Sequence, residues 1–239
     1  FCAVPNTHYM HQAGLSFVGH VGEGLKTLCK DFSPHTVWKN CEPEKVRNRL
    51  KSIFSGNEEW GPGAVIEVVR DALPRNGVAT ADSGAHRILL SQMWECYESR
   101  GLLQSSALCT MGCAIPLAMG FCLTATERPV VAFVGDAGLQ MVLGELATLR
   151  DLKLPLVIVV FVDQSLALIE MKQRKSDLPN LGVDFGATDF PAVAEALGGF
   201  GLWISSRNEL SLALDEAFER KTFTLLACKI GEKVYDGRF

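Results

Sequence analysis

The chain has no excess of positive charge. Its 239 residues carry 23 Lys and Arg against 27 Asp and Glu, a formal net charge of -4. No basic stripe interleaved with aromatics runs through it, so nucleic acid is not an expected partner. Long apolar runs are missing too. The longest, such as Leu154 to Val162, falls far short of the ~20 residues of a membrane-spanning helix, and no membrane association is expected. No charged-then-apolar leader opens the chain. None of the eight cysteines (Cys2, Cys29, Cys41, Cys96, Cys109, Cys113, Cys122 and Cys228) has a CxxC partner. Several lie in apolar segments, where cysteine packs as a small hydrophobe, and reduced thiols in the cytoplasm are expected. His8 and His11 can share a helical face near Cys2, but neither a second Cys nor a Glu completes a metal set. There is no GxxxxGK[ST], which excludes a P-loop. Gly199-Phe200-Gly201 lacks the third glycine of a dinucleotide fingerprint and opens no helix. Internal repeats and low-complexity tracts are absent.

What is present is a globular composition, 48% hydrophobic and 21% charged. The length suits one large domain, or one domain plus a piece of another. Val21 to Leu28 reads as a short amphipathic helix, and residues 32–62 as a polar, proline-bearing connector with a helix from Pro43 to Phe54. From Gly63 the pattern becomes regular. Helices are expected at Ala64–Leu73, Gly84–Tyr97, Met111–Ala125, Leu139–Leu152, Leu166–Gln173, Phe190–Leu197 and Asn208–Arg220. Strands are expected at Gly77–Ala81, Val130–Val134, Leu156–Val162, Leu202–Ile204 and Thr222–Ile230. This alternation implies an α/β fold, a doubly wound, mostly parallel sheet with helices on both faces. Residues 1–31 read as the tail of a preceding domain, and residues 63–239 as one domain.

The most informative stretch runs from Val130 to Gln173. A buried strand ends in Gly135-Asp136-Ala137-Gly138, and the next ends in Asp163-Gln164-Ser165. With a helical crossover between them, both carboxylates fall at the same strand-end edge of a parallel sheet, where ligands bind. Two such carboxylates repel unless a cation sits between them. Mg²⁺ takes one or two carboxylates and completes its shell with phosphate oxygens and water. The small residues after Gly135 also let backbone N–H groups approach an anion. A metal–diphosphate site follows. A plain strand–turn–helix corner with Asp136 as N-cap is the alternative. A phosphatase-like use of Asp136 is weaker, because no DxD pair stands at the strand end.

Gly135-Asp136-Ala137-Gly138, Glu145-Leu146-Ala147-Thr148, Leu154-Pro155-Leu156 and Asp163-Gln164-Ser165 together resemble the thiamine-diphosphate motif. The branch they resemble is that of the acetolactate synthases, over about Gly63 to Ile230. Val18-Gly19-His20-Val21 is similar to the end of the central domain in such enzymes. The resemblance implies a diphosphate-binding (PP) domain with thiamine diphosphate and Mg²⁺ as cofactors. Asp136, Asp163 and the carbonyl of Ser165 would hold the metal. Ser83, Gly84, Ala85 and His86 would hold the terminal phosphate. Gly135, Ala137 and Gly138 would lie along the diphosphate, and Leu168 and Ile169 beside the cofactor. Met111 would wedge the cofactor into its bent shape, and the carbonyl of Cys109 would accept from its exocyclic amine. Taken alone, Met111 reads as a core methionine and His86 as a surface or capping histidine.

Three departures stand out. Ala137 and Gly138 replace the usual Gly-Ser, Asp163 replaces Asn, and Lys172 stands where acetolactate synthases carry a tryptophan. The resemblance also implies an activating glutamate on a pyrimidine-binding (PYR) domain of a partner subunit, for which this chain has no room. Glu145 and Glu170 do not sit in a matching context, so no catalytic residue is expected in this chain itself. The expected activity is therefore the cofactor-binding portion of a 2-oxo acid decarboxylase or carboligase, incomplete alone and working in a homo-oligomer, dimer or tetramer. The alternative is a degenerate structural or regulatory paralogue that binds cofactor weakly.

Overall fold

A computed structural model describes residues 2–5, 13–125 and 127–239. His8 and His11 lie outside the described residues. The chain divides into two compact units, residues 1–47 and 48–239. In the first, Cys2 and Val18 form an isolated parallel bridge. Helix α1 (Val21–Cys29) begins at His20, whose Nδ1 accepts from the N–H of Glu23 at 3.2 Å. Helix α2 (Glu42–Ile53) crosses from the first unit into the second.

The second unit continues as α3 (Pro62–Ala72), β1 (Val78–Ala81), α4 (Ala85–Met93), β2 (Leu102–Gln104), α5 (Ala114–Thr124), β3 (Val130–Gly135), α6 (Asp136–Met141) and α7 (Glu145–Asp151). It then runs through β4 (Val157–Val162), α8 (Ala167–Lys175), α9 (Phe190–Ala196), β5 (Phe200–Ile204), α10 (Arg207–Glu219) and β6 (Thr224–Lys229). The helix starts are chemically marked. Pro62 opens α3, where Glu58 Oε1 accepts from the N–H groups of Gly63 and Ala64. Asp189 caps α9 and Ser206 caps α10.

The strands form a six-stranded sheet in the order β2-β1-β3-β4-β6-β5, and every pair is parallel. Because side chains alternate along a strand, each face feeds its own core. Ala79, Val131, Phe133, Val157, Val159, Phe161 and Leu226 pack with α3, α4 and α10. Ala132, Val134, Ile158, Val160, Leu225 and Ala227 pack with α5, α6, α7 and α9. Burial on both sides explains why β3 and β4 read as unbroken apolar runs rather than alternating ones. The doubly wound α/β architecture expected from the sequence is present.

Two local expectations need correction. The helix expected at Leu139–Leu152 is two short helices, α6 and α7, separated at residues 142–144. β-branched Val142 leaves helical geometry there, its N–H turning back to Leu139 O. Strand β2 gave no sequence signal. It has three residues, sits at the edge of the sheet and pairs only with β1.

The order reverses between β1 and β3. From β1 the chain winds outward to β2 on one side, then from β3 to β4 on the other. At such a switch point the loops at the strand C-termini part, which opens a crevice.

The packing of α9 on β5 supplies a stability test. A Cβ on Gly201 would overlap the backbone of Pro191, whereas one on Gly120 of α5 meets no described atom within 4 Å. Gly201→Ala is expected to lower unfolding stability by about 1–3 kcal/mol through overpacking. Gly120→Ala should leave it unchanged or raise it by about 0.5–1 kcal/mol, since the helix interior gains from losing glycine. Urea unfolding of both variants checks the pair.

Candidate cofactor site

The crevice at the switch point is a cleft of about 140 Å³. Ser83, Gly84, Ala85 and His86 wall it from the end of β1 and the start of α4. Met111, the turn Gly135 to Gly138, and Asp163, Ser165, Leu168 and Ile169 complete most of the rest. Of the residues expected to hold the cofactor or the metal, Cys109 alone does not line it. Cys109 lies two residues before Met111 with a left-handed φ of 51°, its N–H donating to Ser105 Oγ at 3.2 Å.

Asp136 is buried, and it is the first residue of α6 rather than the cap, a position Gly135 holds. Its carboxylate reaches across to the neighbouring strand. Oδ2 accepts from the N–H of Asp163 at 3.2 Å and of Gln164 at 2.7 Å, and Oδ1 accepts from its neighbour Ala137 at 2.8 Å. A carboxylate has about four acceptor directions, so one remains open. Burial pushes the Asp136 carboxyl up, and the three N–H donors oppose that.

Asp163 is also buried, and its carboxylate accepts one weak bond from Ser165 N–H at 3.4 Å. Burial first and then the charge of Asp136 push its carboxyl up to about 7. The loop that carries it is fixed from its other side. Ser165 bridges Asp184, its hydroxyl donating to Asp184 Oδ1 at 2.8 Å, and Leu166 N–H donates to Val183 O at 2.7 Å. Among the described residues, no group of three or more His, Cys, Asp or Glu side chains is arranged to hold a metal. The donor set is therefore two carboxylates with open lone pairs. That set suits a hard cation completed by phosphate and water, and does not suit zinc.

A third carboxylate, Asp82, opens the Asp82-Ser83-Gly84-Ala85-His86 loop, where the sequence assigned no role to Asp82 itself. It follows β1 directly and is buried. Its Oδ2 accepts from Gly112 N–H at 2.7 Å. Its Oδ1 accepts from Gly135 N–H at 3.4 Å and lies 2.8 Å from His86 Nε2. Asp82 thus ties together the β1 end, the β3 end and the Met111 loop. With Nε2 so engaged, His86 has only Nδ1 left for a ligand. Its ring stacks on Phe161 at 5.2 Å between centroids. A Cβ on Gly138 would run into the Asp82 carboxylate, so the position tolerates no side chain while Asp82 is in place. An Asp closing a buried strand was the available signal, the same one that marked Asp136 and Asp163.

Phe161, Leu166, Ala167 and Tyr235 also line the cleft. No periodicity pointed to Tyr235, which lies in a polar, turn-rich segment. Lys172 is exposed and does not line the cleft, nor does half-buried Glu145. Glu170 is held by Arg174, Nε to Oε1 at 2.9 Å and Nη2 to Oε2 at 3.2 Å.

Residues 82–228 match the family model for the thiamine pyrophosphate enzyme, C-terminal TPP binding domain. An acetolactate synthase of Bacillus subtilis (strain 168) is 32% identical over 177 residues, which cover 70% of this chain and 31% of that protein. The large subunit of acetolactate synthase isozyme 3 from Escherichia coli (strain K12) is 30% identical over 185 residues, 77% of this chain and 32% of that one. Among solved structures, the thiamine diphosphate-dependent 4-hydroxybenzoylformate decarboxylase of Rhodococcus jostii RHA1 superposes with a TM-score of 0.69 at 18% identity, covering 74% of this chain and 33% of that one. Benzoylformate decarboxylase from Polynucleobacter necessarius superposes with a TM-score of 0.63 at 22% identity, covering 71% and 32%. The chain spans about a third of the length of these relatives. Among the described residues no helix is long and apolar enough to cross a membrane. Residues 82–228 include the strand ends that build the cleft, and the chain belongs to the thiamine pyrophosphate enzyme family as an acetolactate synthase-like C-terminal TPP binding domain.

Proposed function

We propose that the cleft binds thiamine diphosphate with Mg²⁺, and that the chain is the cofactor-binding portion of a 2-oxo acid decarboxylase or carboligase. The supporting observation is that two buried carboxylates, a small-residue turn and an apolar wall meet in one crevice at the switch point. Asp136 and Asp163, with the carbonyl of Ser165, hold the metal. Ser83 to His86, at the start of α4, receive the terminal phosphate through backbone N–H groups and the free His86 nitrogen. Gly135, Ala137 and Gly138 let the diphosphate approach the backbone. Met111, Leu168 and Ile169 contact the flat rings, and the carbonyl of Cys109 accepts from the aminopyrimidine.

Bound thiamine diphosphate supplies a nucleophilic carbon and an electron sink for breaking the bond next to a carbonyl. This chain's own residues bind and orient it. The activating glutamate belongs to a PYR domain of a partner subunit, which makes the working enzyme a homo-oligomer, placed in the cytoplasm. On this reading residues 63–239 are the PP domain, residues 32–62 a connector, and residues 1–31 the end of a central domain.

Three outcomes test the site. Calorimetry with thiamine diphosphate and Mg²⁺ should show Asp136→Ala losing affinity by more than about a hundredfold, while Lys221→Ala, on the far surface, binds as the parent does. Equal affinity in Asp136→Ala ends the metal assignment.

The raised Asp163 carboxyl makes the metal-free chain pH-sensitive. A carboxyl that binds its proton more tightly when folded adds stability that is complete below its unfolded value of 3.8 and is lost as pH rises through about 7. Thermal melts without metal should therefore fall between about pH 4 and 7, by up to ~4 kcal/mol at 1.36 kcal/mol per pKa unit, and Asp163→Asn should flatten the fall. Because Mg²⁺ competes with that proton, cofactor affinity at limiting Mg²⁺ should weaken below pH 7 in the parent and much less in Asp163→Asn.

Gly138→Ala should push Asp82 off its three partners and cost about 1–3 kcal/mol of stability together with cofactor affinity. Adding Asp82→Ala should recover part of the steric cost without recovering affinity. Additive losses in the double variant would show that the two residues do not share the space.

A further inference from the structure

Tyr235 is only 2% exposed, yet it lines two adjoining cavities, the cofactor cleft and a second one bordered by Asp163, Glu170 and Asp184. Its segment is pinned on both sides. Arg238 Nη1 donates to Glu58 Oε2 at 3.0 Å and Nη2 to Ser55 O at 3.2 Å, while Glu58 also accepts from the first N–H groups of α3. On the other side Asp236 Oδ1 accepts from Arg174 Nη2 at 2.7 Å, and Arg174 is fixed in turn on Glu170 of α8. The phenol is thereby held in the wall of the cleft.

The hydroxyl has no hydrogen-bond partner among the described residues. The hydroxyl itself is not sealed off; it opens to the cavities that the residue lines, where a ligand can pair with it. A phenol is protonated at neutral pH and has one proton to donate, so the hydroxyl can serve any acceptor brought into the cleft. The cleft lacks a hydroxyl donor on the turn after Asp136, where Ala137 and Gly138 stand. Asp82 fills the space that a side chain on Gly138 would need.

We propose that Tyr235 is a binding residue of this cleft, its hydroxyl donating a hydrogen bond to the diphosphate–Mg²⁺ end of the bound cofactor. Tyr235 thereby supplies from another segment the hydroxyl that the Ala137–Gly138 turn does not carry. The inference rests on the cofactor reading above. It adds a residue from outside the stretch that carries the diphosphate motif.

Calorimetry of the polypeptide carrying this chain, with thiamine diphosphate in saturating Mg²⁺, compares the parent with Tyr235→Phe, and thermal melts are run on both without ligand. The expected result is a loss of affinity of about tenfold or more, as for a hydrogen bond to a charged group. The ligand-free melting temperature should stay unchanged or rise, because the variant removes a hydroxyl that makes no hydrogen bond to the described residues. Equal affinity in both proteins overturns the proposal. So does a loss of affinity that comes with a lower ligand-free melting temperature, which would make Tyr235 a packing residue. A parent that binds no thiamine diphosphate fails the cofactor reading itself, and the proposal falls with it.

Discussion

The site is organised by the cost of burying negative charge. Asp82, Asp136 and Asp163 stand at the ends of β1, β3 and β4, neighbours in the sheet, and all are out of water. A buried carboxylate survives only with donors or a cation around it. Asp82 has Gly112, Gly135 and His86, and Asp136 has three backbone N–H groups. The loops after the strands are bent so that these N–H groups point at carboxylates. Asp163 has a single weak donor at 3.4 Å, and its carboxyl is accordingly the one driven up to about 7. This imbalance singles out the position where a cation has most to gain.

The fold was largely legible because a parallel sheet covered on both faces writes itself as uninterrupted apolar runs, and β3 and β4 are such runs. Their terminal carboxylates were legible for the same reason, since a charge closing a buried strand has few structural uses. The break between α6 and α7 was not, because Leu139, Leu146 and Leu149 continue a helical apolar spacing across it. All three face the same core, so burial preserves the pattern even where the backbone departs from the helix at Val142. Strand β2 failed for the opposite reason: three half-buried residues carry too little pattern to be seen.

Asp82 and Tyr235 mark a different limit. Each matters through partners distant in sequence. Asp82 contacts residues 30 and 53 positions away, and Tyr235 enters the cleft from a segment held by Glu58 and Arg174. Local periodicity carries no record of such contacts. In the case of Asp82 the strand-end rule applied elsewhere would have sufficed. In the case of Tyr235 only the three-dimensional closure of the segment onto α3 and α8 puts the phenol at the cleft.

The same closure bears on why the turn after Asp136 can be so small. A side chain on Gly138 and the carboxylate of Asp82 claim one volume, and the protein gives it to Asp82. Asp82 in that place ties Gly112, Gly135 and His86 into a single unit, which a hydroxyl on residue 138 would not do. On the proposed reading the exchange favours a rigid cradle over one direct donor to the diphosphate. The cleft then lacks donors on one side and carries an excess of carboxylates on the other. A phenol that keeps its proton among those carboxylates is the kind of group that can redress both, since it adds a donor without adding charge.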